Sequence, residues 1–525
     1  MAETNLYERI LDVAAGAVPE KKPAIPRHSA AVILWRRNPE LEVYWVRRSA
    51  QLRFMGGWYA FPGGALASSD KTIQLNGTAA GLDIACNPTD VPGADPELGP
   101  LAPAGVVCCA LRELFEETGV LAHTSDSDPS TESMSAARDK LLEDAAHFPT
   151  ALKELGVKPD ASRLVWAGRW VTPRFSPVRF DARFFLLEWP ESQAHQPSII
   201  TGELDAGEWI TPAEGVRRWA RSEALIAQPI LHALRVLAQD GPEGVTRLRP
   251  GPDGPAPFRI EFRRGINSIA LRTRTLPPAS TTNAIVMGGR EMVLIDPGSD
   301  DDRQIAILDR AARSAAQAAG GIVTAIWLTH HHQDHTAGVE LMRKKLGVPV
   351  CAHPLTAERL VEQGIEVDQL LEEGRIVTLA GDPPMRIRVL HTPGHARGHL
   401  CFYDEGSKTL IAGDIMSAQS TIVIDPPEGN MADYLESIDK LVALEPDVAL
   451  PSHGTLINNA TEKLKALKAH RLRREERILK AWRDGVTEPT DIVPVVYTDI
   501  GEMEKPLAAR QVIAHLERLE GLGQL

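Results

Sequence analysis

The stretch that decides the first part of the fold is "ALRELFEETGV", residues 110–120. Apolar residues recur at helical spacing along one side of it, and they predict a helix that ends at Gly119. The opposite side carries three carboxylates, Glu113, Glu116 and Glu117. Like charges three or four residues apart on a helix repel by a few tenths of a kcal/mol per pair, on the order of 0.2–0.5. The spacing therefore raises the question of what offsets this repulsion.

The composition limits the classes of protein that the chain can represent. The chain has 525 residues, of which 43% are hydrophobic and 24% charged, and its formal net charge is -13. This length predicts two or three domains, and the negative charge argues against nucleic-acid binding by the whole surface. Five cysteines form no CxxC pattern, and neither a secretory signal nor a membrane span is recognisable. We therefore expect a cytoplasmic protein with no membrane partner.

Shifts in composition predict the domain boundaries. The stretch 240–257 is rich in proline and glycine and lacks an apolar period, which is typical of a linker. A low-apolar stretch within 71–104 is typical of an insertion. The predicted parts are 1–245 for the first domain with its insertion at 71–104, 246–257 for the linker, 258–460 for the second domain, and 461–525 for a helical tail.

Strand patterns surround the glutamate-bearing helix. Residues Ala31–Trp35 and Val43–Val46 are predicted to be strands, and two more are expected within 163–173 and 179–189. "FPGG", residues 61–64, supplies two glycines for a tight turn. The predicted arrangement is a mixed sheet with helices packed against it.

Two of these segments together resemble the Nudix box, whose pattern is G-x5-E-x7-R-E-U-x-E-E-x-G-U. "FPGGALASSD" (61–70) matches its first part and "RELFEETGV" (112–120) its second part. This sequence departs from the pattern in two ways: Asp70 replaces the usual glutamate, and residues 71–111 stand where the pattern has seven positions. An insertion at this point is similar to that of a Nudix subgroup related to peroxisomal CoA diphosphatases. The resemblance implies an α/β/α sandwich.

The resemblance also implies a use for the crowded carboxylates. Glu113, Glu116 and Glu117 would bind Mg²⁺ or Mn²⁺ and position the attacking water, while Arg112 would brace the glycine loop. A diphosphate substrate is polyanionic, so its hydrolysis needs divalent cations, and Mg²⁺ prefers a few carboxylates with water and substrate oxygens. The alternative interpretation is a solvated acidic helix face. The pattern leaves open whether Asp70 reaches the site.

A second cluster of chemically active residues lies in the middle of the chain. In "GIVTAIWLTHHHQDHTAG", residues 321–338, an apolar strand leads into His330, His332, Asp334 and His335. Side chains two residues apart in an extended segment point the same way, so His330 and His332 can share one metal. Similar polar clusters follow short apolar runs at 391–399, 411–416 and 450–454. This is the pattern expected when ligands gather at one edge of a sheet sandwich.

This set resembles the metallo-β-lactamase superfamily, on its glyoxalase II-like and endoribonuclease-like branch, which implies an αββα sandwich. The H-x-H-x-D-H string is matched at 330–335, and "TPGH", "GD" and "SHG" follow in order. The resemblance implies one ion held by His330, His332 and His395, a second held by Asp334, His335 and His453, and Asp414 bridging them. The ions would be two Zn²⁺, with Mn or Fe as alternatives.

Other polar residues near this string receive secondary roles. By the same resemblance, Asp296 in "MVLIDPG" would orient the ligands. His331, His391 and His399 are predicted to make local hydrogen bonds rather than to bind metal. An interpretation of the cluster without metal would have to explain why seven residues match the superfamily's metal-ligand positions in the same order.

The tail, residues 461–525, shows three helical patterns and is similar to the winged-helix module that follows the hydrolase domain in some metallo-β-lactamase relatives. Nine lysines and arginines lie between 463 and 483, against Glu475 and Glu476. Such a helix could follow the phosphates of RNA. Alternatively its cations solvate the outer face while their stems cover the domain below, which is the interpretation that we favour.

Three functions are compatible with these patterns. The first is a bifunctional hydrolase, in which the Nudix domain cleaves a nucleoside- or CoA-type diphosphate and the dinuclear domain cleaves a thioester, ester or phosphodiester. Acyl-CoA would be a substrate of both sites. The second is an RNA-processing endoribonuclease that uses the dinuclear site. The third is a nucleotide-sensing winged-helix regulator, which the retained carboxylates disfavour.

Overall fold

A computed structural model describes residues 24–52, 55–81, 101–125, 127–172, 176, 178–249, 259–276, 279–418, 421–498, 500–501 and 504–525. The chain forms two compact units, one within residues 24–249 and one containing Gly265–Leu525. Most of the predicted insertion at 71–104 and of the linker at 246–257 lies outside the described residues. The domain boundaries stay predictions.

The first unit is built on one eight-stranded mixed sheet. Six of its strands form the order Leu225–Ile226, Trp58–Ala60, Leu41–Arg48, Arg27–Arg37, Phe180–Glu188 and Leu164–Val171. Gly63–Ala65 pairs with Arg27–Arg37, and Leu204–Ile210 pairs with Leu41–Arg48. The helices are Pro103–Thr118, Thr131–Glu143, Phe148–Leu155, Pro212–Ala220, Gln228–Asp240 and Val245–Leu248, with a small ribbon of His123–Thr124 and Lys158–Pro159.

Helices cover both faces of this sheet because alternate strand residues point to opposite sides. Val32 packs in the core that includes the apolar side of helix Pro103–Thr118. The next residue, Ile33, packs in a separate core with helices Pro212–Ala220 and Gln228–Asp240. This layering confirms the predicted α/β/α sandwich.

A buried ion cluster ties two strands of this sheet together. Arg169 donates from Nε to Oδ1 of Asp181 at 2.7 Å and from Nη2 to Oδ2 at 2.9 Å. Arg183 Nη1 lies 2.9 Å from Oδ2 of the same carboxylate. Burial would raise the pKa of Asp181, but hydrogen bonds from His28 and Arg169 and the charge of Arg183 lower it well below its ordinary value. The aspartate is therefore charged in the folded protein.

Asp181→Asn is expected to lower the free energy of unfolding by about 3–5 kcal/mol at pH 7, because it leaves two buried guanidinium groups without their carboxylate. The folded pKa of Asp181 is below the unfolded value of about 3.9, so its contribution is present above that pH and is lost as the pH falls. Urea unfolding followed by circular dichroism at several pH values measures both effects. The matched control is Asp205→Asn, which breaks a partly exposed pair with Arg47 and should cost less than about 1 kcal/mol. Equal losses in the two variants would contradict this interpretation.

The second unit contains two sheets. The first has the strand order Ile260–Arg263, Ile266–Arg272, Thr281–Gly288, Glu291–Ile295, Ile322–Trp327, Val350–Ala352 and Gln369–Leu370. The second has the order Ile376–Leu379, Met385–His391, Leu400–Asp404, Thr409–Gly413, Val448–Pro451 and Ile457–Asn458. The helices that accompany them are Asp302–Ala318, Gln333–Thr336, Val339–Leu346, Pro354–Val361 and Met431–Val442.

The two sheets pack face to face with helices outside. Helix Asp302–Ala318 shares a core with the first sheet, and helix Met431–Val442 shares a core with the second. Between the sheets, the ring of Trp327 lies 5.0 Å from that of Phe402. This arrangement confirms the predicted αββα sandwich.

The tail of the second unit is helical. It comprises Ala460–Arg483, Pro489–Val496 and Lys505–Gly521, which share a small apolar core. Within the described part of the tail, no strand follows the second helix. Several cations of the first helix have partners in the protein: Lys468 pairs with Asp439, and the guanidinium of Arg474 lies 4.0 Å from the ring centroid of Tyr497. These contacts support the interpretation that the basic helix serves packing.

Four of the five cysteines lie in the described part of the chain. Cys108, Cys109, Cys351 and Cys401 are buried free thiols, whereas Cys86 lies outside the described residues. Burial raises the pKa of Cys351 to about 11, which keeps this thiol protonated. In the part of the chain that the structure describes, no helix has the length and apolar character needed to cross a membrane.

Candidate metal centres

The helix Pro103–Thr118 presents its glutamates to the glycine turn of the first sheet. It ends at Gly119, whose φ of 74° is left-handed, as the sequence predicted. The backbone N–H of Gly63 donates to Oε2 of Glu117 at 2.9 Å. A Cβ atom on Gly64 would lie 2.6 Å from the carboxylate of Glu113, so only glycine permits this approach.

Arg112 connects the carboxylates of this site through one buried guanidinium group. Its Nε donates to Oδ1 of Asp70 at 2.8 Å, and its Nη1 donates to Oε2 of Glu116 at 3.0 Å. Its Nη2 donates to the carbonyl of Ala65 at 2.9 Å and lies 2.9 Å from Oε1 of Glu113. Arg112 therefore braces the glycine turn, and Asp70 reaches the site as its buried partner despite the insertion that follows it.

The environment of the glutamates favours neutralisation of their charge. Burial raises the pKa of Glu113 to about 7 although Arg112 opposes this shift. Burial and the charge of Glu113 together raise the pKa of Glu117 well above its ordinary value. In the described residues, the donor atoms of the three glutamates do not form a set within 4.8 Å of one another.

A residue that sequence analysis missed holds the end of this helix. Arg138, on helix Thr131–Glu143, donates from Nε to the carbonyl of Glu116 at 2.9 Å and from Nη2 to that of Glu117 at 2.6 Å. A cation at a helix C-terminus is stabilised by the helix dipole. No local pattern encodes this contact, because it joins residues about twenty positions apart on two different helices.

The histidine string follows the strand Ile322–Trp327 into the short helix Gln333–Thr336. His330 Nε2 lies 3.0 Å from Nδ1 of His332, and His395 Nε2 lies 3.0 Å from the same atom. Three imidazoles from two loops thus point their nitrogens at one small volume.

Asp414 lies at the centre of the other ligand candidates. Its Oδ2 is 3.7 Å from Nε2 of His335, 3.6 Å from Nε2 of His395 and 3.5 Å from Nε2 of His453. Asp334 Oδ2 lies 3.6 Å from Nε2 of His453 and 3.8 Å from Nε2 of His335. A carboxylate oxygen placed between both histidine groups has the position that a bridging ligand needs.

The donor set fits divalent cations. The described residues include three groups whose donor atoms lie within 4.8 Å of one another: His330, His332 and His395; His330, His335 and Asp414; and Asp334, His335 and His453. Nε2 of His335 and Oδ1 of Asp414 are buried and have no hydrogen-bond partner among the residues that the structure describes. Buried polar atoms without partners are costly, and convergent imidazole and carboxylate donors are what zinc prefers. The ligand assignment itself stays a prediction.

The remaining ring nitrogens are held by the surrounding protein. Asp296 has a left-handed φ of 51°, and its Oδ2 lies 2.9 Å from Nδ1 of His335. The hydroxyl of Thr329 donates to Oδ2 of Asp296 at 2.6 Å and lies 3.0 Å from Nδ1 of His330. Contacts of this kind fix the tautomer and orientation of a ligating ring. The geometry is that expected of the orienting role predicted for Asp296.

Backbone carbonyls hold two further rings. Nδ1 of His395 lies 2.7 Å from the carbonyl of Val423, and Nδ1 of His453 lies 3.1 Å from that of Thr281. Both rings therefore direct Nε2 toward Asp414.

Burial and neighbouring charges shift the pKa values of the histidines in this cluster in different directions. Burial and the neighbouring imidazoles lower the pKa of His330 and His332 well below the ordinary value, so these rings are neutral. Burial would also lower the pKa of His335, but the charges of Asp334, Asp414 and Asp296 raise it well above that value. Neutral imidazoles are the form that binds a metal.

The three histidines left out of the ligand set have other contacts. His399 lies behind Asp414, where its Nε2 accepts from the backbone N–H of Asp414 at 2.9 Å. Nε2 of His391 lies 2.8 Å from the carbonyl of Arg397. The ring of His331 lies 4.7 Å from that of His332, and among the described residues it belongs to none of the three donor groups.

Comparison with protein families supports this combination of folds. The profile of the NUDT19 Nudix domain matches residues 12–237, that of the metallo-beta-lactamase superfamily matches 277–453, and that of the beta-lactamase associated winged helix domain matches 489–524. The matches and the two sites define a hydrolase with two domains of metal-dependent families.

Several individual proteins are similar to parts of this chain. The "Beta-lactamase-like protein 2 homolog" of Drosophila melanogaster is 30% identical over 260 residues, which cover 46% of this chain and 84% of that protein. An "Atrochrysone carboxyl ACP thioesterase" of Emericella nidulans is 27% identical over 38% of this chain and 59% of its own length. The solved NUDIX hydrolase of Alicyclobacillus acidocaldarius is 27% identical over 42% of this chain and 95% of its own, with a TM-score of 0.34. The chain belongs to the metallo-beta-lactamase superfamily and carries a Nudix domain before that hydrolase domain.

Proposed function

We propose that this protein is a bifunctional, metal-dependent hydrolase of acyl-CoA-type substrates. The first domain, 1–245, would cleave the diphosphate, and the second, 258–460, would cleave the thioester. The observation that carries the proposal is the position of Asp414, whose Oδ2 lies 3.5–3.7 Å from three imidazole nitrogens of two donor groups. The tail, 461–525, would be a winged-helix-like module that follows the hydrolase domain, and we propose a cytoplasmic location.

The proposed roles in the second domain follow from these positions. His330, His332 and His395 would hold one ion, Asp334, His335 and His453 the second, and Asp414 both. Two Zn²⁺, or Mn or Fe, would supply Lewis-acid polarisation of the scissile carbonyl and activation of water. Asp296 and Thr329 would keep the rings in the orientation that binding requires. The thioesterase name of the Emericella relative supports a thioester substrate.

The proposed roles in the first domain rest on the same reasoning. Glu113, Glu116 and Glu117 would bind Mg²⁺ or Mn²⁺, which screens the charge of a diphosphate. Arg112 would hold the glycine turn and two of these carboxylates in position relative to each other. Asp70 would fix the orientation of the guanidinium group. The CoA-type substrate is supported by the resemblance of the insertion after Asp70 to that of CoA-diphosphatase-related Nudix proteins. The match to the NUDT19 Nudix domain supports a nucleotide-type diphosphate.

Incubation of the purified full chain with acyl-CoA, Mg²⁺ and Zn²⁺ is expected to release both the free fatty acid and 3′,5′-ADP. The two products separate the sites, because thioester cleavage produces the acid and diphosphate cleavage produces 3′,5′-ADP. Mass spectrometry of the reaction over time measures both. Release of neither product would contradict the proposal, and release of one alone would limit it to that domain.

The endoribonuclease alternative makes a different prediction at the same site. It requires cleavage of single-stranded RNA that depends on His332 and weakens steeply with salt, as phosphate contacts by the basic helix would impose. The packing contacts of Lys468 and Arg474 reduce the number of cations available for such contacts. An RNA substrate assayed beside acyl-CoA decides between the two functions.

A further inference from the structure

The segment 421–427 lies between the candidate metal site and the helical tail. On the metal side, the carbonyl of Val423 lies 2.7 Å from Nδ1 of His395. This contact decides which nitrogen of His395 is directed toward Asp414. Any displacement of the segment would therefore move a ligand candidate.

The tail holds the same segment from its other side. Arg471 donates from Nη2 to the carbonyl of Ile422, and Gln511 donates from Nε2 to the same carbonyl at 3.2 Å. Arg471 also donates from Nη1 to Oε1 of Gln511 at 3.0 Å. Both side chains are buried, at 3% and 7% exposure. Arg471 and Gln511, which lie on two different tail helices, thus both donate to the carbonyl of the residue that precedes Val423.

Two more contacts extend this support. Arg510 donates to the carboxylate of Asp425 and to the carbonyl of Pro426, two and three residues beyond Val423. The Arg471 guanidinium lies 5.3 Å from the ring centroid of Tyr434, whose hydroxyl donates to the carbonyl of Ile415 at 2.7 Å. Because Ile415 follows Asp414, the tail approaches two ligand loops rather than one.

From these contacts we propose that the helical tail positions the metal site, with Arg471 and Gln511 as positioning residues that hold the 421–427 segment against His395. Burying a guanidinium group costs free energy unless the group is fully hydrogen-bonded. The burial of Arg471 at the carbonyl of Ile422 therefore indicates a role that offsets this cost. The first tail helix thus contributes a residue that holds the candidate metal ligands in position, rather than one that recognises nucleic acid. This inference rests on the proposed metal centre in the second domain.

Arg471→Met tests the inference on the full chain. It removes the hydrogen bonds of the guanidinium while keeping a long apolar stem. We expect Zn²⁺ affinity, measured by competition with a chromogenic chelator, to weaken about tenfold, as is usual when a group that orients a ligand is lost. The visible absorption spectrum of the Co²⁺-loaded protein should change as well, and Arg471→Lys should restore part of both.

The matched control is Arg474→Met, which removes an arginine of the same helix that contacts Tyr497 rather than the segment. It should lower the unfolding temperature without changing Zn²⁺ affinity or the Co²⁺ spectrum. Gln511→Met carries the test if circular dichroism shows that Arg471→Met does not fold. Unchanged affinity and spectrum in the folded variant would overturn the inference and leave the proposed function intact. Failure of the unmodified protein to bind Zn²⁺ or Co²⁺ would instead contradict the metal centre itself.

Discussion

Asp414→Asn is expected to reduce thioester hydrolysis by about 10³-fold. Asparagine keeps the size of the side chain but removes the negative charge that three imidazole nitrogens face. Metal-assisted polarisation is worth several kcal/mol, and each ~1.4 kcal/mol corresponds to a tenfold change in rate. Steady-state hydrolysis of acyl-CoA, followed by release of the free thiol, measures the effect.

The control for this substitution is Asp433→Asn, which changes an exposed aspartate in the first turn of helix Met431–Val442. It should leave the thioester rate within about twofold of the unmodified value, because a surface substitution has little effect on stability. Release of 3′,5′-ADP should stay unchanged in both variants. A thioester rate in Asp414→Asn equal to that of the control would show that the aspartate does not act in hydrolysis.

Glu117→Gln is expected to reduce diphosphate cleavage about 10²-fold or more while increasing the stability of the metal-free protein. The substitution removes one of the charges that would bind Mg²⁺. Burial and the charge of Glu113 raise the folded pKa of Glu117, so the charged form destabilises the fold. In EDTA, the unmodified protein should therefore lose stability as the pH rises above the ordinary glutamate pKa of about 4.3. The glutamine variant should show a smaller loss, to which Glu113 still contributes because its pKa is also raised.

Two measurements check the second prediction, the rate of 3′,5′-ADP release with Mg²⁺ and the unfolding temperature in EDTA from pH 5 to pH 8. Glu132→Gln is the matched control, since Glu132 is an exposed residue in the first turn of helix Thr131–Glu143. It should leave the rate of 3′,5′-ADP release unchanged. A Glu117→Gln variant with full activity, or one that is less stable in EDTA at every pH, would contradict the role of the carboxylate.

Much of the fold was predictable because its signals are local. The apolar period within 110–118 and the glycine that follows at 119 determine a helix and its end, and both are present, with φ at Gly119 in the left-handed region. The strand before the histidine string and the three tail helices were predictable for the same reason. Alternation of Val32 and Ile33 between two cores follows directly from strand geometry.

The parts of the sites that were not predictable depend on contacts between distant segments. Arg138 holds the glutamate helix from a neighbouring helix, and Asp70 reaches Arg112 across the insertion. The Arg138 contact follows from no period or motif, and the Nudix-box pattern places Asp70 without showing that it reaches Arg112. The same holds for Val423, whose carbonyl orients His395 only because tertiary packing brings that segment to the ring.

The basic helix shows what composition alone leaves open. Nine cations between 463 and 483 are compatible with a surface for nucleic acid and with a helix whose cations cover the domain below. In the folded chain, Arg471 is buried against a loop of the hydrolase domain and Lys468 pairs with Asp439. The number of charges was readable in the sequence, whereas their partners were determined by the packing of the tail.

Metal content of the purified full chain tests the account most directly. We expect inductively coupled plasma mass spectrometry, after exchange into metal-free buffer, to find two transition-metal ions per chain. The His330→Gln, His335→Gln double variant, which removes one ligand candidate of each ion, should retain few or none while His391→Gln retains both. A chain that binds no transition metal, or a double variant that keeps the full content, would contradict the claim that bound cations hold these side chains together.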